Sequence, residues 1–537
     1  MSGRYTLAGA HIGVAIGAFG VAAAMGLLQA LSLAEIHFPF RSESLYYISV
    51  TAHGVLMALV FTTFFIMGLG YVLAQENLGR IRGGGAAWFA FWLAAIGSIA
   101  AAVTVLAGKS TVLYTFYPPL QAHPLFYIGA TMLVLGSWIW GGVMIASYRS
   151  WHRENAGVPI PLAIHGMLAA IIIWYLATVG LAIEVLTMLI PWSLHWMKTI
   201  DPLLARTYFW WFGHPLVYFW LIPAYVIWYT VLPRVAGGKL FSDSLGRLVF
   251  VMFVLLSVPV GFHHQFVDPG ISAGWKLAHT FLTYTVVFPS LVTAFTIIAS
   301  LEVAGRMKGA RGLFNWIGRL PWWSDPLFSS VALAMLSFTF GGFGGAINAA
   351  YAMNSMVHNT AWIMGHFHVV LGATVAMTFM GATYWLLPRM TGRELYFLTL
   401  ARLQPYLWFA GMMLFGISYH VAGLRGLPRR VYTVSLTPEY APQVHGLSIM
   451  AATGAVILFI SALCYLSVAA GTWLAGRKVE VPRFEFATSL RPPIVSIWDR
   501  FGLWTAIAVL LIVAGYAYPI IHLLTQHRYG SPPYQPF

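Results

Sequence analysis

About thirteen apolar runs, each on the order of 20 residues or more, leave this chain few ways to fold. They begin near residues 8, 46, 85, 122, 160, 205, 246, 273, 326, 357, 402, 446 and 499 of the 537-residue chain. A hydrocarbon core about 30 Å thick takes about 20 helical residues to cross. Lipid cannot satisfy loose backbone N–H and C=O groups, so runs this long and apolar predict helices rather than barrel strands. The expectation is an all-α integral membrane protein, about 13 transmembrane helices in one bundle, with residues 1–537 forming a single domain. Only 8% of residues are charged, far below the roughly 25% of soluble domains. The longest non-apolar stretches, 425–445 and 477–498, read as loops rich in Pro and Arg.

The net charge of +14 would suggest nucleic-acid binding in a soluble protein. Here topology accounts for it. With a cytoplasmic N-terminus, the even-numbered gaps face inward and carry Arg80, Arg82, Arg149, Arg153, Arg234, Lys239, Arg247, Arg306, Lys308, Arg311, Arg319, Arg389, Arg393, Arg402, Arg477, Lys478, Arg483, Arg491 and Arg500. Together with Arg4, about 20 of the 29 basic residues then lie inside, against about 9 in the opposite orientation. No nucleic-acid partner is expected. The first run is too long, and lacks a small-residue cleavage site, to read as a removed signal peptide. The one cysteine, Cys464, excludes disulfides within the chain, a cysteine zinc site and covalent heme attachment.

Histidine then becomes the informative residue. In the assigned topology His53, His214, His366 and His368 lie toward the outer ends of the second, sixth and tenth spans, and His263 and His264 end the seventh at the same level. Polar groups in hydrocarbon are expensive and mark function, and six imidazoles at one depth point to metal. His366 and His368, two apart, face opposite sides of a helix, about 200° around, and so serve two separate sites. His263 and His264 are neighbours about 100° apart on a regular helix. They fit one metal only if the helix is distorted, as the Pro269 and Gly270 that follow suggest.

"WWFGHPLVYFW", "GFHHQFVDPG" and "HNTAWIMGHFHVV", in this order across the spans, resemble the catalytic subunit I of the heme-copper oxygen reductases, the terminal cytochrome c oxidases. The resemblance runs from His53 to Arg429 and Arg430. It implies a bundle enclosing two hemes and a copper ion. His53 and His368 would be the axial ligands of a low-spin heme, expected as b-type. His366 would be the single axial ligand of a high-spin heme of a- or b-type. His214, His263 and His264 would hold the copper, CuB. Imidazole suits copper, and three ligands leave a position open. Tyr218, four residues from His214 and so on the same helical face, would be the catalytic tyrosine, covalently joined to His214. The activity implied is four-electron reduction of dioxygen to water, with charge movement across the membrane and proton pumping left open.

Tyr225 and Tyr229 follow Tyr218 at i+7 and i+11, and Ser290, Thr293 and Thr296 form a second stripe on the eighth span. Hydroxyl residues commonly join membrane helices. Both stripes descend from the metal level toward the inner face, however, which favours a proton path similar to the single K-type channel of the B-type branch. Leu216 stands where the A-type branch carries a glutamate, which also favours B-type. His358 matches a residue near the propionates of the high-spin heme, and Asn354 replaces the aspartate of B-type relatives, removing an acid from the proposed exit of pumped protons. Arg429 and Arg430 lie on the outer side, against the charge bias, and are expected to pair with heme propionates.

The chain has no cysteine pair for a CuA centre. The resemblance therefore implies a subunit II carrying CuA, fed by cytochrome c or a similar donor, with quinol as the lesser alternative, in a prokaryotic plasma membrane. Two other readings remain. A nitric oxide reductase of the same superfamily would share the six histidines but usually lacks Tyr218, and a polytopic transporter would bind no heme.

Overall fold

The computed structural model describes residues 3–36, 38, 41–480 and 483–534. Thirteen helical segments match the thirteen runs: α1 (Gly3–Leu33), α2 (Glu43–Asn77), α3 (Gly84–Leu106), α4 (Pro124–Glu154), α5 (Leu162–Ser193), α6 (Pro202–Val235), α7 (Asp243–Leu256), α8 (Ala273–Met307), α9 (Pro326–Ala349), α10 (Ala361–Thr391), α11 (Leu398–Leu424), α12 (Ala441–Leu474) and α13 (Phe501–Thr525). Twelve are long and apolar enough to cross a membrane; α7 has 14 residues and falls short. The chain continues from its end through Ser257–Val260 into a 3-10 turn, Gly261–Gln265. Pro259 has no N–H and biases the residue before it away from helix. The break therefore comes just before the histidine pair, upstream of the Pro269 and Gly270 from which the sequence suggests it.

In their most apolar windows α6 is 94% buried and α2 83%, against 33% for α13. The first two are therefore the inner helices, enclosed by protein, and much of the α13 surface lies outside the bundle. Asp201 starts α6 by accepting from the N–H groups of Leu203 and Leu204 at 3.0 and 3.1 Å, with Pro202 at the first helical position, where its missing N–H costs nothing. Pro215 and Pro223 lie inside α6. Each removes one helical hydrogen bond, the first directly after His214.

The N-terminal end of α7 is fixed by Arg247, wholly enclosed. It pairs with Asp243 at 2.5 Å and Asp499 at 2.5 Å and donates to the Ile160 carbonyl at 2.6 Å. These contacts tie α7 to the start of α13 and to the approach of α5. The element that leads into the two candidate metal ligands at its C-terminal end is thereby anchored at its N-terminal end. The described residues also contain three π-helical stretches, Leu56–Phe61 in α2, Val185–Leu189 in α5 and His368–Ala376 in α10.

Candidate metal centre

His214 from α6 and His263 and His264 from the 3-10 turn bring ligand nitrogens within 4.8 Å of one another. Among the described residues no other group of three or more His, Cys, Asp or Glu does so. His214 Nδ1 lies 3.1 Å from His264 Nε2, a spacing that suits two nitrogens each about 2.0 Å from one metal. His263 Nδ1 is 2.9 Å from the Thr283 hydroxyl, which donates in turn to the His279 carbonyl. Since that hydroxyl proton is committed, Thr283 accepts from His263 Nδ1–H, leaving Nε2 as the ligand atom. The His264 ring stacks on Trp210 at 3.7 Å between centroids and 5° between planes. Three imidazoles without a thiolate or carboxylate form a donor set that fits copper.

The second nitrogen of His214 is also engaged. Its Nε2 lies 3.1 Å from the Tyr218 hydroxyl, which is buried. The i, i+4 spacing read from the sequence thus becomes a direct contact between the candidate ligand and the tyrosine.

His53 and His368 meet across the bundle from α2 and α10. Their rings are nearly parallel, 13° apart, with centroids separated by 6.0 Å. That separation leaves room for one iron with an axial nitrogen on each side, at metal–nitrogen distances of about 2.0 Å. Each Nδ1 donates to a main-chain carbonyl, His53 to Ala22 and His368 to Met364, both at 2.8 Å. Both Nε2 atoms are thereby turned toward the gap. Gly26 makes room for this arrangement, because a Cβ there would sit 2.9 Å from His53 Nδ1.

His366 faces the other way, toward α9. A Cβ on Gly344 would lie 2.8 Å from its Nδ1, so the glycine allows the close approach. The ring is in electrostatic range of His263 and His264. The two histidines of "HFH" thus face different neighbours, His368 toward His53 and His366 toward α9.

The two hydroxyl stripes pair across α6 and α8. Tyr225 donates to Ser290 at 3.5 Å and Tyr229 to Thr293 at 3.1 Å. Thr296 adjoins Tyr229 as well. Tyr225, Tyr229, Thr293 and Thr296 are all buried.

The rim formed by Arg206, Arg429 and Arg430 is cationic. His358 Nδ1 donates to the Asn354 side-chain oxygen at 3.2 Å, while Asn354 Nδ2 donates to the Asn348 carbonyl at 2.7 Å. An aspartate at 354 could accept from His358 but could not donate to Asn348. Burial, reinforced by Arg429 and Arg206, lowers the His358 pKa to about 4, so the ring is neutral near pH 7. Arg430 reaches Thr115 at 3.3 Å and lies over the Tyr114 ring. Burial and then Arg429 bring its pKa down to about 10. Arg429 Nε, Arg206 Nε and the Tyr117 hydroxyl are buried without a partner among the described residues. Donors left over in a cationic pocket fit an anionic group such as a heme propionate.

Thr283, Trp210 and the Arg206–Asp268 ion pair, at 2.8 Å, support the site without having been singled out in the sequence. The "QFVDPG" motif does carry Asp268, but nothing local to it indicates that Arg206 is its partner.

The sequence profile of the family described as cytochrome c and quinol oxidase polypeptide I matches residues 6–457. Cytochrome c oxidase subunit 1 of Thermus thermophilus is 42% identical over 507 residues, covering 93% of this chain and 90% of its own length. Cytochrome c oxidase polypeptide 1 of Halobacterium salinarum is 26% identical over 87% of this chain and 79% of its own. A heme-copper terminal oxidase dimer solved by cryo-EM superposes with a TM-score of 0.95 at 36% identity, covering 99% of this chain and 95% of that one.

Proposed function

Because this chain belongs to the family of cytochrome c and quinol oxidase polypeptide I, the heme-copper oxidases, we propose specific roles for its residues in the four-electron reduction of dioxygen to water. His53 and His368 would hold the low-spin heme, His366 the high-spin heme, and His214, His263 and His264 the copper. When bound, these groups supply the electron relay and the activation of dioxygen. His53 and His368 together would leave the heme they hold no vacant position for substrate, so that group would supply electron relay alone.

The observation that carries this reading is His214, which offers one nitrogen to the ligand cluster and the other to Tyr218. Tyr218 would give up one electron and its hydroxyl proton during turnover, and peptide mass spectrometry tests whether it is joined to His214. Substrate protons would enter from the inner face, passing along Thr296, Thr293 and Ser290 beside Tyr229 and Tyr225. Arg429 and Arg430 would bind propionates, with His358 and Asn354 at the rim of that pocket.

Leu216 favours the B-type branch. The proposed partner is a subunit II with CuA on the outer face, served by cytochrome c, and the N-terminus is placed in the cytoplasm. Electrons and protons reaching the site from opposite sides would move charge across the membrane, worth about 2.3 kcal/mol per charge per 100 mV. Turnover of the purified, reduced complex with dioxygen, and separately with nitric oxide, tests the reading. Dioxygen consumption lost in Tyr218→Phe supports it. Nitric oxide reduction without dioxygen turnover would refute the tyrosine's role and leave the histidine assignments standing.

A further inference from the structure

Two of the three π-helical stretches adjoin candidate heme ligands: Leu56–Phe61 begins three residues after His53, and His368–Ala376 begins at His368 itself. The third, Val185–Leu189, begins directly after Glu184. Single π turns inside α-helices concentrate at functional positions. Glu184 is wholly buried, and neither carboxyl oxygen has a hydrogen-bond partner among the described residues. Other enclosed acids are engaged. Asp268 pairs with Arg206 at 2.8 Å, Asp243 and Asp499 with Arg247 at 2.5 Å each, and Asp325 caps α9 through Phe328 N–H at 2.9 Å. An unpaired carboxylate enclosed in a membrane bundle is costly, so the buried site favours the neutral acid. Packing alone would be better served by an apolar side chain, which leaves a role for the proton.

Packing contacts place this group relative to the metal cluster. Trp211 on α6 donates its indole N–H to the Leu176 carbonyl on α5 at 3.1 Å. Glu184 lies two turns further out on α5, and His214 lies three residues further in on α6. At 1.5 Å per residue, Glu184 is roughly 16 Å outward of His214. Tyr127 of α4 is in electrostatic range of Glu184. From Tyr127 a packed aromatic series runs to the copper ligands: Phe116 at 6.4 Å, then Phe209 at 5.2 Å from Phe116, Trp210 at 5.1 Å from Phe209, and His264 at 3.7 Å from Trp210. Through such a medium a unit charge at that distance changes proton affinity on the order of fivefold to tenfold. The charged groups at the outer end of α6 are already committed, Asp201 to Arg528 and Arg206 to Asp268. Glu184 is the unpaired acid left to respond.

We infer that Glu184 is a proton-binding site whose occupancy follows the charge of the metal centre, an inference that rests on the heme-copper reading above. Negative charge added at the centre raises the share of Glu184 that carries a proton, by at most about half a proton for a tenfold change in affinity, the proton being drawn from solvent beyond the outer end of α5. When the added negative charge is removed, the same O–H bond breaks and the proton returns to solvent. No other bond changes.

The test is reduced-minus-oxidised infrared difference spectroscopy on the holoenzyme and on Glu184→Gln, with proton uptake per electron measured on the same preparations. The wild type should show a carbonyl-stretch feature of a protonated carboxyl that shifts in D2O. The variant should lack it and bind fewer protons per electron. Identical spectra and uptake would overturn the inference. If Glu184→Gln fails to assemble, Glu184→Asp should move the feature to a different frequency, and an unmoved feature would overturn it equally. The Soret band and dioxygen turnover report separately on the heme-copper reading. A sample without them sinks that reading, whereas intact heme with no feature assignable to Glu184 sinks this one.

Discussion

At the His53–His368 pair both rings hang from the backbone, each Nδ1 bonded to a main-chain carbonyl, of Ala22 and of Met364. At the His214–His263–His264 cluster the corresponding supports are side chains: Tyr218, Thr283 and Trp210. Main-chain carbonyls are present whatever the residue, so the relay pair depends little on the identity of its neighbours. The cluster sits on a proline-bearing helix and a 3-10 turn, and depends on particular side chains that substitution can remove. The difference parallels the proposed tasks, since a relay needs only fixed geometry, while a reaction site also needs groups that exchange protons and hold open a coordination position.

The contrast is most exposed at Tyr218. Tyr218→Phe keeps the ring and removes the hydroxyl, and dioxygen turnover should fall about 10²- to 10⁴-fold, the usual range for a positioned proton donor. Both heme spectra should survive. Normal turnover in this variant would break the proposed division of labour.

Thr283→Val removes the acceptor for His263 Nδ1–H. Copper affinity should drop about 10- to 100-fold, as for other supporting partners of metal-bound histidine. Competition with a copper chelator measures it, and the spectrum of the heme proposed at His53 and His368 should not move.

Gly26→Ala is the converse probe, because it crowds His53 alone. A methyl 2.9 Å from the ring should perturb the spectrum of the heme proposed at His53 and His368 and cost about 1–3 kcal/mol by overpacking, leaving bound copper unchanged. Copper loss in this variant would show that the two sites are not independently supported.

The smallest effect is expected at Thr293→Val. Loss of the 3.1 Å bond from Tyr229 should cost about 0.6 kcal/mol of stability, typical of interhelical bonds in membranes. Proton uptake should slow several-fold while metal content stays constant. Unchanged uptake would reduce the Tyr229–Thr293 pair to a structural contact.

Hydropathy specifies the thirteen helical segments, because each span must satisfy its own backbone in lipid whatever its neighbours do. The shared depth of six histidines and the opposed faces of His366 and His368 were legible for the same reason, since both follow from helix rise and rotation counted along one segment. The pairing of Tyr225 with Ser290 and Tyr229 with Thr293 could only be suggested as two stripes pointing the same way.

Tertiary structure decided which atoms meet. His214 presents Nδ1 to the cluster and Nε2 to Tyr218, and Thr283 fixes the ring of His263 from another helix. Asn354 uses its amide both to accept from His358 and to donate to Asn348, and Glu184 is left without a partner. The contacts of Tyr218 and Asn354 lie within a few residues, but the meeting of His214 with His264 and of His263 with Thr283 depends on where a distant segment packs, and a hydrogen bond forms or fails over a few tenths of an ångström that no spacing within one segment sets.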